Sequence, residues 1–258
     1  MLCSTRQLKG LEIAARDGSL GKVEEAYFDD DRWTLRHLVV RTGSWLSGRH
    51  VLISPHAVER IDLAAGQVVV ALTRQQVEQA PDIDTDKPVS RQHEASYYDH
   101  YGYPYYWGGS GLWGASTLPL GVVTPTVPGA ESPAGESGFG ELGPGTGAAP
   151  ALSGQPEESG EGGDPHLRST AEVTGYTVEA SDGRIGHVDD FLFEPASWAI
   201  RKLVVDTRHW LPGRKVLVEP TAIERMDWSG RRLHVALTRE AVEGSPEYKA
   251  DGSAGGWA

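Results

Sequence analysis

The chain has 258 residues, enough for one or two domains, and its 32 glycines and 16 prolines indicate that part of it does not pack into a core. The formal net charge of −12, from 24 basic and 36 acidic residues, disfavours nucleic acid and anionic membrane surfaces as partners. The single cysteine, Cys3, excludes an internal disulfide and a zinc site built on several cysteines, and we interpret it as an incidental thiol near a frayed terminus.

The beginning of the chain lacks the apolar run of a secretory signal. No stretch of the sequence approaches the roughly 20 apolar residues that a membrane helix needs. We therefore predict a cytoplasmic protein without an integral membrane segment.

The sequence contains an internal repeat. A shift of 165 residues overlays residues 4–81 on residues 169–246 without a gap. Each copy is long enough to fold as a small domain, whereas two copies are too few for a solenoid. We predict copy 1 at residues 1–83, a linker at 84–168, copy 2 at 169–248 and a flexible tail at 249–258.

Each copy is predicted to be a small all-β barrel. Apolar runs separated by turn residues, such as Asp17-Gly18 in copy 1 and Asp182-Gly183 in copy 2, indicate short strands, with glycine at the second turn position. The predicted strands lie near residues 11–15, 20–29, 33–42, 48–53, 58–62 and 67–72, and their images lie 165 residues later. One capped helical turn is predicted at 73–78 and another at 238–243.

The two copies indicate which strand face is buried. Leu38 and Val40 are unchanged in copy 2, whereas the alternating positions His37 and Arg41 change to other polar residues. Because side chains of a strand alternate between its faces, we predict that Leu38 and Val40 face the core and that His37 and Arg41 face solvent.

Several of these sequence motifs resemble those of a known family. The hairpin turn Asp17-Gly18, the core strand Leu38-Val39-Val40 and the corner at Pro55, with their images in copy 2, resemble the PRC-barrel family. Its relatives include the cytoplasmic barrel of the photosynthetic reaction-centre H subunit and the final barrel of a ribosome-maturation factor. The resemblance implies a protein–protein interaction module without catalytic residues, and it specifies a fold better than an activity.

The linker changes composition along its length. It carries 3 basic and 11 acidic residues, a balance of 3 − 11 = −8, and its later part is rich in Gly, Pro, Ser and Glu and is predicted to be disordered. Its first part holds an aromatic run, which we predict either binds a protein partner or packs back on the barrels and covers the seam between them. The run comprises Tyr97, Tyr98, Tyr101, Tyr103, Tyr105, Tyr106, Trp107 and Trp113. Base stacking is disfavoured because basic residues are not interleaved with the rings.

A Trp–Arg pair recurs in both copies. Trp45 with Arg49, and Trp210 with Arg214, flank equivalent loops. Such pairs are typical of interaction hot spots, although an indole can equally close the end of a barrel. We name all four residues as candidate partner-binding residues.

The sequence indicates no catalytic chemistry. The nine histidines are scattered without the spacing of a metal site, and neither a phosphate-binding loop nor a serine elbow occurs. We predict a non-enzymatic scaffold without cofactor or metal that binds another protein or its own copy. Two alternatives stay open: a peripheral component of a photosynthetic or electron-transport membrane complex, and a small-ligand-binding protein or enzyme with a site between the barrels.

Overall fold

The computed structural model describes residues 1–81, 91–107, 109–119, 167–207 and 214–248. The strands are β1 Cys3–Ser4, β2 Glu12–Ala15, β3 Gly18–Asp29, β4 Thr34–Thr42, β5 His50–Ile53, β6 Val58–Asp62, β7 Gln67–Val70, β8 Leu167–Ser169, β9 Thr177–Ala180, β10 Gly183–Phe193, β11 Ile200–Asp206, β12 Lys215–Val218, β13 Ile223–Asp227 and β14 Arg232–Val235. The helices are α1 Thr5–Leu8, α2 Arg74–Glu78, α3 Arg91–Tyr101, α4 Thr170–Val173 and α5 Arg239–Glu243.

The fold is mostly β, with one mixed sheet in each half of the chain. In copy 1 the strands follow the order β5-β4-β3-β2-β7-β6, and copy 2 repeats it as β12-β11-β10-β9-β14-β13. The pairing is antiparallel except between β2 and β7 and between β9 and β14. The six predicted strands per copy and the capped helical turns α2 and α5 are confirmed. The hairpin turn consists of Arg16 and Asp17, one position before the predicted Asp17-Gly18, and Gly18 begins β3.

A close approach of two strands explains one glycine that both copies share. A Cβ added at Gly21 would lie 2.1 Å from the carbonyl oxygen of Arg41, and one added at Gly186 would lie 2.1 Å from that of Asp206. Gly21 also has a φ of 147°, which L side chains rarely adopt. The glycine therefore lets the backbones of β4 and β11 approach those of β3 and β10 closely at this position.

The predicted core face is correct and the predicted solvent face is partly wrong. Leu38 and Val40 have no exposed surface, and Arg41 is exposed. His37, however, has no exposed surface either. A segment distant in sequence covers this face of copy 1, so the strand is buried on both sides and alternation along it does not reveal which side faces solvent.

The first strand of each copy pairs with the other copy. β1 lies antiparallel to β10, with Cys3 opposite Phe193 and Ser4 opposite Leu192. Reciprocally, β8 lies antiparallel to β3 of copy 1 and starts at Leu167, two residues before the predicted boundary of copy 2. We call residues 3–8 and 167–173 the exchanged arms.

Short capped helices hold the exchanged arms in place. Ser4 caps α1 in a capping box with Gln7, and its hydroxyl also donates to Asp190 of copy 2. Thr5 donates to the same carboxylate at 2.8 Å. In the reciprocal arm Ser169 caps α4 and donates to Glu25, the residue that corresponds to Asp190. Each arm is therefore fixed by a hydroxyl–carboxylate contact as well as by strand pairing.

The arms alter two expectations about the beginning of the chain. Cys3 is only 8% exposed and lies in a paired strand, so its placement at a frayed terminus is wrong. Burial raises the pKa of the Cys3 thiol and makes it less reactive. None of the described helices has the length and apolar character needed to cross a bilayer.

Candidate functional site

The aromatic run lies in an ordered segment that packs on copy 1. We call residues 91–107 and 109–119 the aromatic segment. Its helix, α3, ends in a Schellman motif, in which Gly102 donates to the carbonyl of Asp99 at 3.2 Å and Tyr103 to that of Tyr98 at 2.9 Å. Gly102 supplies the positive φ of 67° that this ending requires. The reversal turns the chain after α3 back toward the sheet.

Glu94 of α3 is the centre of a buried polar cluster. Its carboxylate has no exposed surface and lies 3.0 Å from Nε2 of His37 on β4. The hydroxyl of Tyr106 donates to the two oxygens of Glu94 at 3.0 and 3.1 Å. A buried carboxylate needs such partners, because its transfer out of water is otherwise strongly unfavourable. The cluster therefore fixes the position of α3 on the sheet.

Arg36 is the second polar anchor of the segment. It forms a buried ion pair with Asp29 at 2.8 Å and donates to the carbonyl of Leu112 at 2.5 Å. Its guanidinium lies 3.9 Å from the ring centre of Tyr106 and 4.8 Å from that of Trp113. A guanidinium between aromatic faces gains a cation–π attraction that is strongest where water is excluded.

The corresponding ion pair of copy 2 is exposed. Arg201 contacts Glu194 at 2.6 Å, with half of the Arg201 side chain exposed. The ion pair thus belongs to the repeated fold, and only its burial in copy 1 depends on the aromatic segment.

Tyr97 closes the edge of the copy 1 sheet. Its hydroxyl donates to the carbonyl of Leu52 at 3.1 Å and accepts from the amide of Ser54 at 3.0 Å. In copy 2, residues 246–248 run along the equivalent strand, and Leu217 donates to the carbonyl of Pro246 at 3.2 Å. Other parts of the chain therefore contact the outer edges of β5 and β12, which disfavours the addition of a further strand there.

Burial changes the acidity of the segment's phenols. It raises the pKa of Tyr97 well above its usual value, and it likewise raises the pKa values of Tyr101 and Tyr103. Burial disfavours the phenolate because the charged form loses its hydration. These tyrosines therefore stay neutral at a pH at which an exposed phenol ionises.

Trp113 links the aromatic segment to copy 2. Its indole Nε1 donates to the carbonyl of Ser197 at 2.8 Å, and the ring is 1% exposed. Arg32 donates to the carbonyls of Gly109 and Gly111 and so holds the adjoining loop. The segment therefore spans the seam between the copies, as one of the two sequence hypotheses predicts.

The structure divides the candidate residues of the aromatic segment into two sets. The buried set has at most 5% exposed surface and comprises Tyr97, Tyr98, Tyr101, Tyr103, Tyr106 and Trp113. Tyr105 is 39% exposed and stacks on the half-buried Trp107, with ring centres 4.7 Å apart and ring planes 17° apart. The hydroxyl of Tyr105 donates to Asp99 at 2.5 Å. Tyr105 and Trp107 are therefore the members of the run that remain accessible to a partner.

The repeated Trp–Arg pair is partly buried. Trp45 is half-buried and donates from Nε1 to the carbonyl of Leu20 at 2.9 Å, while the Arg74 guanidinium lies 5.6 Å from its ring centre. Arg49 is half-buried, and Arg214 donates to the carbonyl of Ser245 at 3.5 Å. Trp210 lies outside the described residues. Partner binding by these residues stays a prediction.

Aromatic side chains of the two copies pack against each other at the seam. Phe28 of copy 1 contacts Phe191 of copy 2 with ring centres 5.5 Å apart, and Trp33 stacks on Phe28 at 5.4 Å. Within the described parts of the chain, no group of three or more His, Cys, Asp or Glu side chains is placed to hold a metal ion.

Sequence reasoning missed the residues that join the copies. Ser4, Thr5 and Asp190, with their counterparts Ser169 and Glu25, hold the exchanged arms. Their only sequence signal is that the Ser-Thr pair and the acidic position recur at a distance of 165 residues. Such recurrence does not reveal whether an arm pairs with its own copy or with the other.

Comparison with known proteins places a PRC-barrel domain at residues 4–77. A Deinococcus radiodurans protein described as uncharacterized is 34% identical over 88 residues, which cover 34% of this chain and 31% of the relative. The match therefore spans about a third of that relative's length. A solved structure described as a 16S ribosomal RNA processing protein, RimM, from Pseudomonas aeruginosa is 25% identical. That likeness covers 28% of this chain and 44% of the other, with a TM-score of 0.23.

Proposed function

We propose that this PRC-barrel protein is a non-catalytic protein–protein interaction module that acts as a scaffold. Strand exchange and the aromatic segment join its two sheets into one body, which suits a scaffold because the spacing of its surfaces is then fixed. A preorganised surface loses less conformational entropy on binding than a flexible one. In this role the protein binds its partner through the shape of its surface and through accessible side chains.

The exposed stack of Tyr105 and Trp107 carries the proposal. Six other rings of the same segment are buried, yet Tyr105 keeps 39% of its surface exposed. Aromatic side chains held rigidly at a surface are typical anchors of protein interfaces, since they offer large contact area at little entropic cost. We infer that the partner surface centres on this stack.

Site-specific photo-cross-linking tests this inference. A photoreactive phenylalanine analogue replaces Tyr105 in one full-length chain and Leu63 in a control chain. Leu63 is similarly exposed, at 42%, but lies between β6 and β7 outside the aromatic segment. We expect a specific adduct from position 105 and none of the same mass from position 63.

The captured protein is then purified and its affinity measured directly. Truncation of an aromatic anchor typically costs about 2 kcal/mol or more, so Tyr105→Ala should weaken binding by about thirtyfold. Leu63→Ala should leave the affinity unchanged. Equal affinities of wild type and Tyr105→Ala would show that the stack is not the partner surface.

The other functions receive less support. The ring contact of Phe28 with Phe191 at the seam argues against an enzyme or ligand-binding protein with its site between the barrels. A peripheral role in a photosynthetic or electron-transport membrane complex rests on the family resemblance, and co-sedimentation with membranes would test it.

A further inference from the structure

The exchanged arms make their strand contacts across the boundary between the copies. Cys3 and Ser4 pair with Phe193 and Leu192 of copy 2, and residues 167–169 pair with β3 of copy 1. The side-chain contacts follow the same rule, because Thr5 binds Asp190 and the hydroxyl of Thr170 donates to the carbonyl of Ala26 at 2.9 Å. Each sheet is therefore an acceptor for an arm that it does not itself supply.

The two arm sites are equivalent under the 165-residue repeat. The pair Ser4–Leu192 corresponds to Ser169–Tyr27, and Cys3–Phe193 corresponds to Arg168–Phe28. An interface in which each side presents the same elements to the other is closed and isologous, like that of a symmetric dimer. The chain thus contains a dimer-like interface whose two halves are joined by covalent linkage.

The covalent linkage favours pairing of the two copies of one chain over pairing of copies from different chains. Residues 120–166 connect the aromatic segment to the second arm and lie outside the described residues. Short tethers give effective concentrations on the order of millimolar and longer ones give less, so a tether of this length gives about 1 mM or less for the copies that it joins. Two copies from different molecules would make the same contacts, so intermolecular pairing competes when the protein concentration approaches that value.

We propose that the arm-acceptor edges of β3 and β10 also bind the arms of a second molecule of this chain. The product is a reciprocal dimer in which copy 1 of each molecule pairs with copy 2 of the other. Conversion between the closed monomer and this dimer requires the arms to leave buried positions, such as that of Cys3 at 8% exposure. We therefore expect interconversion to be slow, so that size-exclusion chromatography separates the two forms. This inference rests on strand pairing and is independent of the proposed function.

Refolding of wild-type protein at two concentrations tests the proposal. Unlabelled and nitrogen-15-labelled full-length chains are unfolded together and refolded at about 1 µM, far below the effective concentration, or at about 1 mM, near or above it. Native mass spectrometry should show monomer after dilute refolding. After concentrated refolding it should show dimer with the mixed-label species most abundant. Monomer alone at both concentrations would overturn the proposal.

Disulfide trapping distinguishes arm exchange from any other mode of dimerisation. One chain keeps its native Cys3, and a longer, tagged chain carries Cys3→Ser and Phe193→Cys. Residues directly opposite in an antiparallel pair have Cα atoms about 4.5–5.5 Å apart, within reach of a disulfide. We expect a disulfide-linked heterodimer after concentrated co-refolding and none when the second chain carries Leu63→Cys instead.

A second cysteine pair covers the case in which Phe193→Cys does not fold. Ser4→Cys in one chain and Leu192→Cys in the other occupy the next paired position, and Leu192 is 7% exposed at the margin of the core. Both chains also carry Cys3→Ser. Dimers that form without a disulfide at either pair would contradict arm exchange between molecules.

Discussion

Thr34 and Ala199 pair with each other as an antiparallel bridge, although each is the image of the other under the 165-residue repeat. On either side of them, Leu35 donates to the carbonyl of Trp198 at 2.9 Å, and Ile200 donates to that of Trp33 at 2.6 Å. A residue that meets its own image marks an approximate twofold axis. The exchanged arms and the seam are arranged around this axis, so the two sheets form a dimer within one chain.

Trp113 should contribute more to stability than any exposed ring of its segment. Trp113→Ala removes a buried indole and should lower the free energy of unfolding by about 3–5 kcal/mol. Trp113→Phe keeps most of the ring but leaves the Ser197 carbonyl without its donor, and should cost about 1–3 kcal/mol. Guanidinium denaturation measures both changes.

An exposed residue of the same segment provides the control for Trp113. Leu118 is 47% exposed, so Leu118→Ala should change stability by less than about 0.5 kcal/mol. A similar loss for Trp113→Ala and Leu118→Ala would mean that the aromatic segment does not pack on the sheet.

Glu94 should be essential to the docking of α3. Glu94→Ala leaves His37 and Tyr106 without their buried acceptor, and each buried polar group left unsatisfied costs about 1–3 kcal/mol. The control is Glu219→Ala, which breaks an ion pair with Lys202 at a carboxylate that is 58% exposed. That change should cost about 1 kcal/mol or less. Thermal unfolding of both variants checks the difference, and equal melting temperatures would contradict a buried role for Glu94.

The buried tyrosines should make the protein sensitive to alkali. Burial raises the pKa of Tyr97 and of Tyr103, and that of Tyr176 to about 12, above the usual phenol value of about 10. Above pH 10 the unfolded chain loses protons that the folded chain retains, so stability is full below pH 10 and falls as the pH rises further.

Absorbance at 295 nm follows the ionisation of these phenols. We expect the buried tyrosines to ionise in one cooperative step that coincides with unfolding by circular dichroism. In concentrated guanidinium all tyrosines should titrate near pH 10. Ionisation of every phenol near pH 10 without unfolding would contradict their burial.

Protonation of Asp189 in acid should weaken the attachment of the first arm to copy 2. Burial alone raises the pKa of Asp189, but hydrogen bonds from Lys215 and Arg6 outweigh it and hold that pKa below its usual value. A lowered pKa in the folded state adds stability above about pH 4, and this contribution disappears as the pH falls through the folded-state value. Wild type should therefore be more stable than Asp189→Asn at pH 7, and the difference should shrink at pH 3. A difference that is independent of pH would refute this role.

Local patterns predicted most of the sheet. The alternation around Leu38 and Val40 depends on neighbouring residues and on burial by the barrel's own core. The same pattern occurs in both copies, so it could be compared between them. The position of His37 could not be predicted in this way, because its cover comes from Glu94, 57 residues along the chain. The alternation of apolar and polar residues along a strand does not reveal which distant segment covers its outer face.

The arms and the aromatic segment were predictable only in part. The run from Tyr97 to Trp113 is recognisable by composition, but the same rings suit a core and an interface, and only their burial separates the buried set from Tyr105. The exchange of β1 and β8 has no local signal, since an arm of two or three residues pairs equally well in sequence terms with either copy.

Cleavage of the linker tests most directly that the two copies form one body. A protease site is inserted within residues 120–166, the folded protein is cut, and the products are analysed by size-exclusion chromatography, native mass spectrometry and thermal unfolding. The exchanged arms, the Thr34–Ala199 bridge and Trp113 predict that the two fragments stay together as a 1:1 complex and unfold in a single transition. Fragments that separate under native conditions, each with its β-sheet signal intact, would contradict the account.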